Sequence, residues 1–291
     1  MYDLLLLLAM ACTSEPTTPV APEAEPYYIV SHAATRALRT YDVDGRWLGD
    51  LVPAGSFLPG SSQIGLSPDG ERVLVATFGD SGVWQVDLGT GADLGPLGGE
   101  EHGLTGPSTV SISPDGLVLV ADFLGGEVHA YDPATDAWQG PFFETGHLTN
   151  PHEIVFVDGE YLVTDFARGS ITRFAADGAF VAVVDDGPEL RGPLGMVPTP
   201  DGRRVLVANN LSHEVVAFNA SSGRFRGTLV DGVLSYPEGL ELTPDGRELL
   251  VTSAQNAAIF RVDLETGELM GQFESQDDDE GVVDVLRVDP R

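Results

Sequence analysis

The chain has 291 residues, 42% of them hydrophobic, which is enough for a sizeable packed core. Its 45 Asp and Glu stand against 15 basic residues, all of them Arg, for a formal net charge of −30. That balance repels phosphate backbones and anionic membrane surfaces and argues against nucleic acid as a partner. The one cysteine, Cys12, rules out an intramolecular disulfide, so the fold rests on its core.

Residues 4–10 read Leu-Leu-Leu-Leu-Leu-Ala-Met, followed by Ala11 and Cys12. An apolar run ending in small residues is the core of a secretory signal, and this one is too short to span a bilayer. Ala9-Met10-Ala11-Cys12 resembles the lipobox of bacterial lipoproteins. That resemblance implies acylation of Cys12, export, and a lipid anchor in the bacterial cell envelope as the only membrane association. Ala9 stands where the lipobox usually has Leu, and Asp3 where a signal usually has basic residues. Residues 13–26 (TSEPTTPVAPEAEP) are rich in Pro, Thr, Glu and Ala without periodicity, the composition of an extended tether. The expected organisation is a signal over 1–12, a tether over 13–26 and a globular part over 27–291.

The globular part is repetitive. Ser67-Pro68-Asp69-Gly70, Ser113-Pro114-Asp115-Gly116, Thr199-Pro200-Asp201-Gly202 and Thr243-Pro244-Asp245-Gly246 each join two short apolar runs, and Val157-Asp158-Gly159 is a degenerate copy. The turn glycines are spaced 46, 43, 43 and 44 residues apart. A repeat of that length built from short strands marks a β-propeller blade. In chain order, strands are expected near 28–32, 38–42 and 47–52, then 63–67, 72–77, 83–88 and 92–96. Further four-strand repeats follow near 108–140, 152–184, 194–229 and 238–273. Asx- and Gly-bearing turns such as Asp87-Leu88-Gly89-Thr90-Gly91 and Asp263-Leu264-Glu265-Thr266-Gly267 close the hairpins between third and fourth strands. No first strand precedes Tyr28, while the tail Val283–Pro290 matches one. The expected fold is therefore an all-β, six-bladed β-propeller, closed by the C-terminal strand completing the N-terminal blade, an arrangement that removes free sheet edges.

The Pro-Asp-Gly turns, the Val-Leu-Val-Ala-Asp/Asn second strands and the Asp-x-x-Thr-Gly turns resemble the NHL and YVTN families of propeller repeats. The resemblance covers residues 27–291 and implies architecture more than function, because propellers host hydrolases, lyases, sensors and scaffolds alike.

Each first strand follows a lead-in of the type Leu104-Thr105-Gly106-Pro107. The residue after the Pro is expected at the channel mouth, giving a ring of Asp284, Ser62, Ser108, His152, Leu194 and Glu238, with Asp284 aligned to Glu238. Glu238, Asp284 and His152 are candidate ligands for a divalent cation, calcium, manganese or zinc. In six-bladed gluconolactonase-like propellers, which the chain resembles in blade number, a Glu, an Asn and an Asp at such positions hold a catalytic metal. Here the Asn is absent and Leu194 interrupts the ring. His152 is also a candidate catalytic acid or base, with His102 and His147 on neighbouring loops. A second ring at the ends of the second strands comprises His32, Thr77, Asp122, Asp165, Asn209 and Ser253. Its members accept bonds from the loops that follow or, with Phe78, Phe123 and Phe166, shape a ligand pocket. Asp277–Glu280 is an acidic run in the final lead-in loop. No nucleophile elbow, phosphate loop or Cys/His zinc pattern is present.

These observations favour a monomeric, lipid-anchored binding module for a protein or an extracellular small molecule. The alternative is a metal-dependent hydrolase or lyase with its site at the channel mouth.

Overall fold

A computed structural model describes residues 25–185, 189–273 and 281–290, and these form six four-stranded antiparallel sheets arranged as a propeller. The first blade holds β1 (Tyr27–His32), β2 (Ala37–Asp42) and β3 (Trp47–Val52), the second β4 (Ile64–Leu66), β5 (Arg72–Thr77), β6 (Gly82–Asp87) and β7 (Asp93–Gly98). The third holds β8 (Pro107–Ile112), β9 (Val118–Asp122), β10 (Glu127–Asp132) and β11 (Ala137–Pro141), the fourth β12 (Pro151–Val157), β13 (Glu160–Asp165), β14 (Ser170–Ala175) and β15 (Phe180–Asp185). The fifth holds β16 (Pro193–Pro198), β17 (Arg204–Asn209), β18 (Glu214–Asn219) and β19 (Phe225–Val230), the sixth β20 (Pro237–Leu242), β21 (Glu248–Ser253), β22 (Ala258–Asp263) and β23 (Leu269–Phe273). β24 (Val282–Val288) returns to pair antiparallel with β1, so the first sheet runs β24-β1-β2-β3 and the ring closes as expected. Among the described residues no helix is long and apolar enough to cross a membrane.

The signature residues have local jobs. Ser67, Ser113, Thr199 and Thr243 each donate a hydroxyl bond to the Asp of their own Pro-Asp-Gly turn, at 2.5, 2.6, 2.7 and 2.8 Å. Each also accepts from an amide at or just before the start of the next strand, for example Arg204 N at 3.1 Å. Such side-chain bonds close the turn where the backbone ladder stops. The glycine of Asp-x-x-Thr-Gly serves contact between blades. Gly91 sits at φ 69, and a Cβ there would lie 1.9 Å from the Leu51 carbonyl of the preceding blade.

The core lies between the blades. One apolar cluster fills each of the six blade interfaces, for example Leu206, Val215 and Ala217 of the fifth blade against Leu249, Val251 and Phe260 of the sixth. Second strands are covered on both faces, so they read as continuous apolar runs instead of alternating. Hydroxyls near their ends clasp the next blade. Ser31 donates to Ser62 O at 2.8 Å, Thr164 to Leu194 O at 2.7 Å and Thr252 to Val283 O at 2.8 Å.

Two features depart from expectation. Single 3-10 turns follow four of the second or fourth strands, at Phe78–Asp80, Glu100–His102, Asn210–Ser212 and Ala254–Asn256. The tail is also shifted by one residue. Asp284 pairs with Ser31 just as Thr109 pairs with Ala121, so Val283, and not Asp284, is the counterpart of Ser108 and Glu238. Aligning Pro290 with Pro244 presumes the spacing of the other inner strands, whereas the register of this strand is fixed by its pairing with β1.

Candidate functional site

Four members of the second ring hold the lead-in loops. Asp122 is fully buried and accepts from Thr105 N at 2.9 Å and Gly106 N at 2.6 Å. Asp165 accepts from Thr149 N at 2.7 Å and Arg168 N at 3.1 Å. Asn209 accepts from Arg191 N at 2.5 Å and donates to Glu189 O at 2.7 Å. Ser253 accepts from Ser235 N at 2.8 Å, and Thr77 donates to Gly82 O at 2.7 Å. His32 is buried at the end of β1. Carboxylates that accept several backbone amides fix a loop in place. Asp122, Asp165, Asn209 and Ser253 thus hold lead-in loops, and all six side chains of the ring are buried.

Just inside, five of the six inner strands open with a bulge, seen as a register shift between Pro107 and Thr109, Pro151 and Ile154, Pro193 and Met196, and Pro237 and Leu240, and in β24 opposite Ser31 and His32. The bulged residues are the candidates from sequence, except that Val283 takes the place of Asp284. Ser108, His152, Leu194 and Val283 are all buried, while Ser62 and Glu238 are half-buried, so this layer closes the channel. His152 stands edge-on to Phe123 with ring centroids 6.4 Å apart, and its Nδ1 has no hydrogen-bond partner. Burial pushes its pKa down to about 3, so the imidazole is neutral at ordinary pH. The other two histidines are held apart from it, each against an outermost strand. His102 stacks on Trp138 at 5.2 Å, and His147 stacks on Phe180 at 3.9 Å.

Below that layer a cavity of about 330 Å³ occupies the channel. Its inner end is ringed by Asp284, Gln63, Thr109 and Glu153, the residues one step beyond the bulge. In the remaining blades that position is Gly195 and Gly239, where a Cβ would strike Glu238 O at 2.2 Å or the Asp284 carboxylate at 2.4 Å. The cavity then runs past Ser111, Val155, Val197, Leu240, Glu241 and Leu286 toward the Pro-Asp-Gly turns, where Ile112 is exposed. It thus opens on the face opposite the lead-in loops.

The channel carboxylates are encircled by protein and resist ionisation. Burial, reinforced by the Asp284 charge, pushes Glu238 up to about 8. Burial pushes Asp284 up to about 7, against the opposing bonds from the amides of Ile64 and Val285. Glu153 is raised well above its usual value by burial and then by Asp284 and Glu241. Glu241 is raised by burial, although it accepts from Leu242 N at 2.7 Å and Arg287 N at 3.2 Å. Glu238 and Asp284 are thus electrostatic neighbours as expected, but on successive layers. Among the described residues no three His, Cys, Asp or Glu side chains are grouped so as to hold a metal ion. Sequence reading passed over Gln63, Thr109, Glu153 and Glu241. Counting by twos back from the Pro-Asp-Gly turn finds this set, because that stretch of strand contains no bulge.

The lead-in face carries a different feature. Phe78, Phe123 and Phe166 follow the second strands of three successive blades, with centroids 5.8 and 5.7 Å apart. Leu124 continues the arc beside Phe123, and Leu211 meets Phe166 over Gly192. Phe78, Leu124 and Leu211 are 41%, 59% and 50% exposed, a contiguous apolar surface over four blades. The equivalent loops of the other two blades carry only Ala33-Ala34 and Ala254-Gln255. Asp80, Glu100, Glu101 and Glu144 are exposed on the same side.

No protein-family model and no curated protein sequence matches the chain. Its fold matches solved structures. A chain in the crystal structure of a nidogen/laminin complex superposes with a TM-score of 0.75 at 15% identity, covering 91% of this chain and 99% of that one. A protein of unknown function from Bacteroides caccae superposes with a TM-score of 0.67 at 16% identity, again covering 91% and 99%. At such identity the likeness is one of fold, the six-bladed β-propeller.

Proposed function

We propose that the chain is an exported, envelope-anchored propeller that binds a protein partner across its lead-in face. The observation that carries this reading is the apolar arc of Phe78, Phe123, Leu124, Phe166 and Leu211, set on loops that buried staples hold rigid. Rigid aromatic anchors within a polar rim are the usual centre of a protein interface. The acidic residues beside the arc favour a partner with an apolar anchor and basic flanks. Support by architecture comes from the nidogen/laminin complex, itself an assembly of proteins. The address rests on the apolar run and Cys12, which lie outside the described residues, as do most of the tether and Asp277–Glu280.

Two experiments test the reading. Cross-linking in native envelopes should trap a defined partner with the wild type and lose it with Phe123→Ser plus Leu211→Ser, a loss of about 2 kcal/mol or more at an interface centre. Leu269→Ser on an outermost strand is the control and should retain it. Equal capture by wild type and the double variant would end the proposal. For the anchor, the wild type should partition into the detergent phase and Cys12→Ser into the aqueous phase; identical partitioning refutes lipidation of Cys12.

A further inference from the structure

The channel cavity belongs to neither the apolar arc nor the closed bulge layer, and it opens on the other face. Its chemistry is uneven along its length. The wall toward the opening is largely aliphatic, made by Leu66, Val155, Val197, Leu240 and Leu286, with Ser111 and Glu241 among them. The blind end is polar, with Asp284 and Glu153 on opposite sides of the ring and Gln63 beside Asp284. Glu241 uses both carboxylate oxygens on backbone amides. Asp284, with Oδ1 against Gly239, accepts from the Ile64 amide with Oδ2 at 3.0 Å and also from the Val285 amide, and Glu153 accepts from the Ile154 amide with Oε1 at 3.2 Å; both carboxylates line the cavity. Gln63 is 2% exposed; its Oε1 accepts the Thr109 hydroxyl, and its Nε2 has no partner. A buried amide donor without a partner is an unmet hydrogen bond.

We propose that this cavity binds a small aliphatic primary ammonium that also carries an oxygen acceptor, entering from the Pro-Asp-Gly face. The ammonium supplies donors to Asp284 and Glu153, the ligand oxygen accepts from Gln63 Nε2, and the methylenes cover the aliphatic wall. A cavity of about 330 Å³ with aliphatic side chains toward its opening and a few convergent polar groups has the form of a small-molecule site. The alternatives fit less well. An anion meets two carboxylates. A neutral aliphatic leaves Gln63 Nε2 without a partner. A bare metal ion meets an amide N–H and, among the described residues, no cage of three ligating side chains. The buried carboxylates are held toward their neutral forms when no cation is present, so an arriving ammonium restores ionisation and binding releases protons.

Titration calorimetry on the full chain tests this with aminopentanol as the probe and pentanol, pentanoate and calcium chloride as comparators. The expected result is a saturable one-to-one isotherm for aminopentanol alone, weakened about ten-fold or more in Asp284→Asn and in Glu153→Gln. Gln63→Leu should weaken aminopentanol but leave pentylamine binding unchanged, a difference that general damage to the cavity does not produce. Phe123→Ser, on the other face, should bind normally, which separates this site from the protein-binding surface. Should the carboxamide variants not fold, a rise in wild-type melting temperature with aminopentanol and none with pentanol carries the same information. No heat with aminopentanol, an equal response to pentanol, binding of calcium in its place, or full affinity in both carboxamide variants overturns the proposal.

Discussion

Deleting residues 282–291 is expected to abolish cooperative folding of the whole chain, not merely to loosen one blade. β24 is the inner strand of the first blade, paired with β1 over its full length and packed between β20 and β4. Its Val282, Val283, Val285 and Val288 are 1%, 6%, 3% and 5% exposed. Burying a valine contributes about 1.5–3 kcal/mol, so the four together approach the ~5–15 kcal/mol that separates folded from unfolded states of typical domains. Deletion also removes the carbonyl that clasps Thr252 and exposes β1 as a free edge, an invitation to aggregate. The truncated chain should be insoluble or melt without a cooperative transition, by circular dichroism and calorimetry. A synthetic peptide spanning 281–291 should restore the transition in proportion to its concentration. Val285→Ala, a milder lesion in the same strand, should lower stability by about 1–3 kcal/mol while leaving the melt cooperative. A truncated chain that melts like the wild type would show that closure contributes little.

That closure was legible in the sequence because blade architecture is written in local chemistry. A hydroxyl before each Pro-Asp-Gly, a continuous apolar second strand and an Asx-Gly turn after the third all recur at a near-constant interval. Each acts within its own hairpin or on its immediate neighbour, so a one-dimensional reading finds it. The tail shows where this ends. Its register is fixed by pairing with β1 at the other end of the sequence, and Asp284 lies one layer deeper than the spacing of prolines implied.

The candidate site was legible only in part, for a related reason. A bulge at the start of five of the six inner strands breaks the count of two, so the residue after the Pro belongs to the closing layer and the next one to the channel ring. His152 and Glu238 were found because they follow a proline; Gln63 and Glu153 were missed because they are one residue further on. Nor did spacing show that His102 and His147 are drawn to the outer edge, since Trp138 and Phe180 reach them from outermost strands. The apolar arc was visible only as three phenylalanines after second strands. Its continuity through Leu124 and Leu211 depends on loop geometry that glycines 106 and 192 permit.

The second large effect concerns pH. Asp284 has its pKa raised from 3.8 to about 7 in the folded protein, with burial as the main cause. A carboxyl raised in this way keeps its proton in the folded state while the unfolded chain has already lost it. The folded state then binds more protons, and stability falls as pH rises from about 4 to about 7, levelling off above the folded value. The limit is about 1.4 kcal/mol per pH unit, and water in the open cavity screens part of it, so about 2–4 kcal/mol is expected over the whole window. Exposed turn carboxylates have the opposite sign. Asp201, Asp245 and Asp263 are lowered by bonds from Thr199, Thr243 and Thr266, so their contribution is lost as pH falls through the acid range. Stability of the wild type should therefore peak in mildly acid solution. Asp284→Asn keeps an acceptor for the Ile64 amide but cannot ionise. It should match the wild type near pH 4 and exceed it by about 2–4 kcal/mol near pH 8 in denaturant melts at fixed salt. It should also lower the pKa of Glu238, which the Asp284 charge helps to raise, and so shift the remaining pH dependence. Parallel stability curves for variant and wild type from pH 4 to 8 would mean that the Asp284 carboxyl ionises in the channel as freely as it does in water.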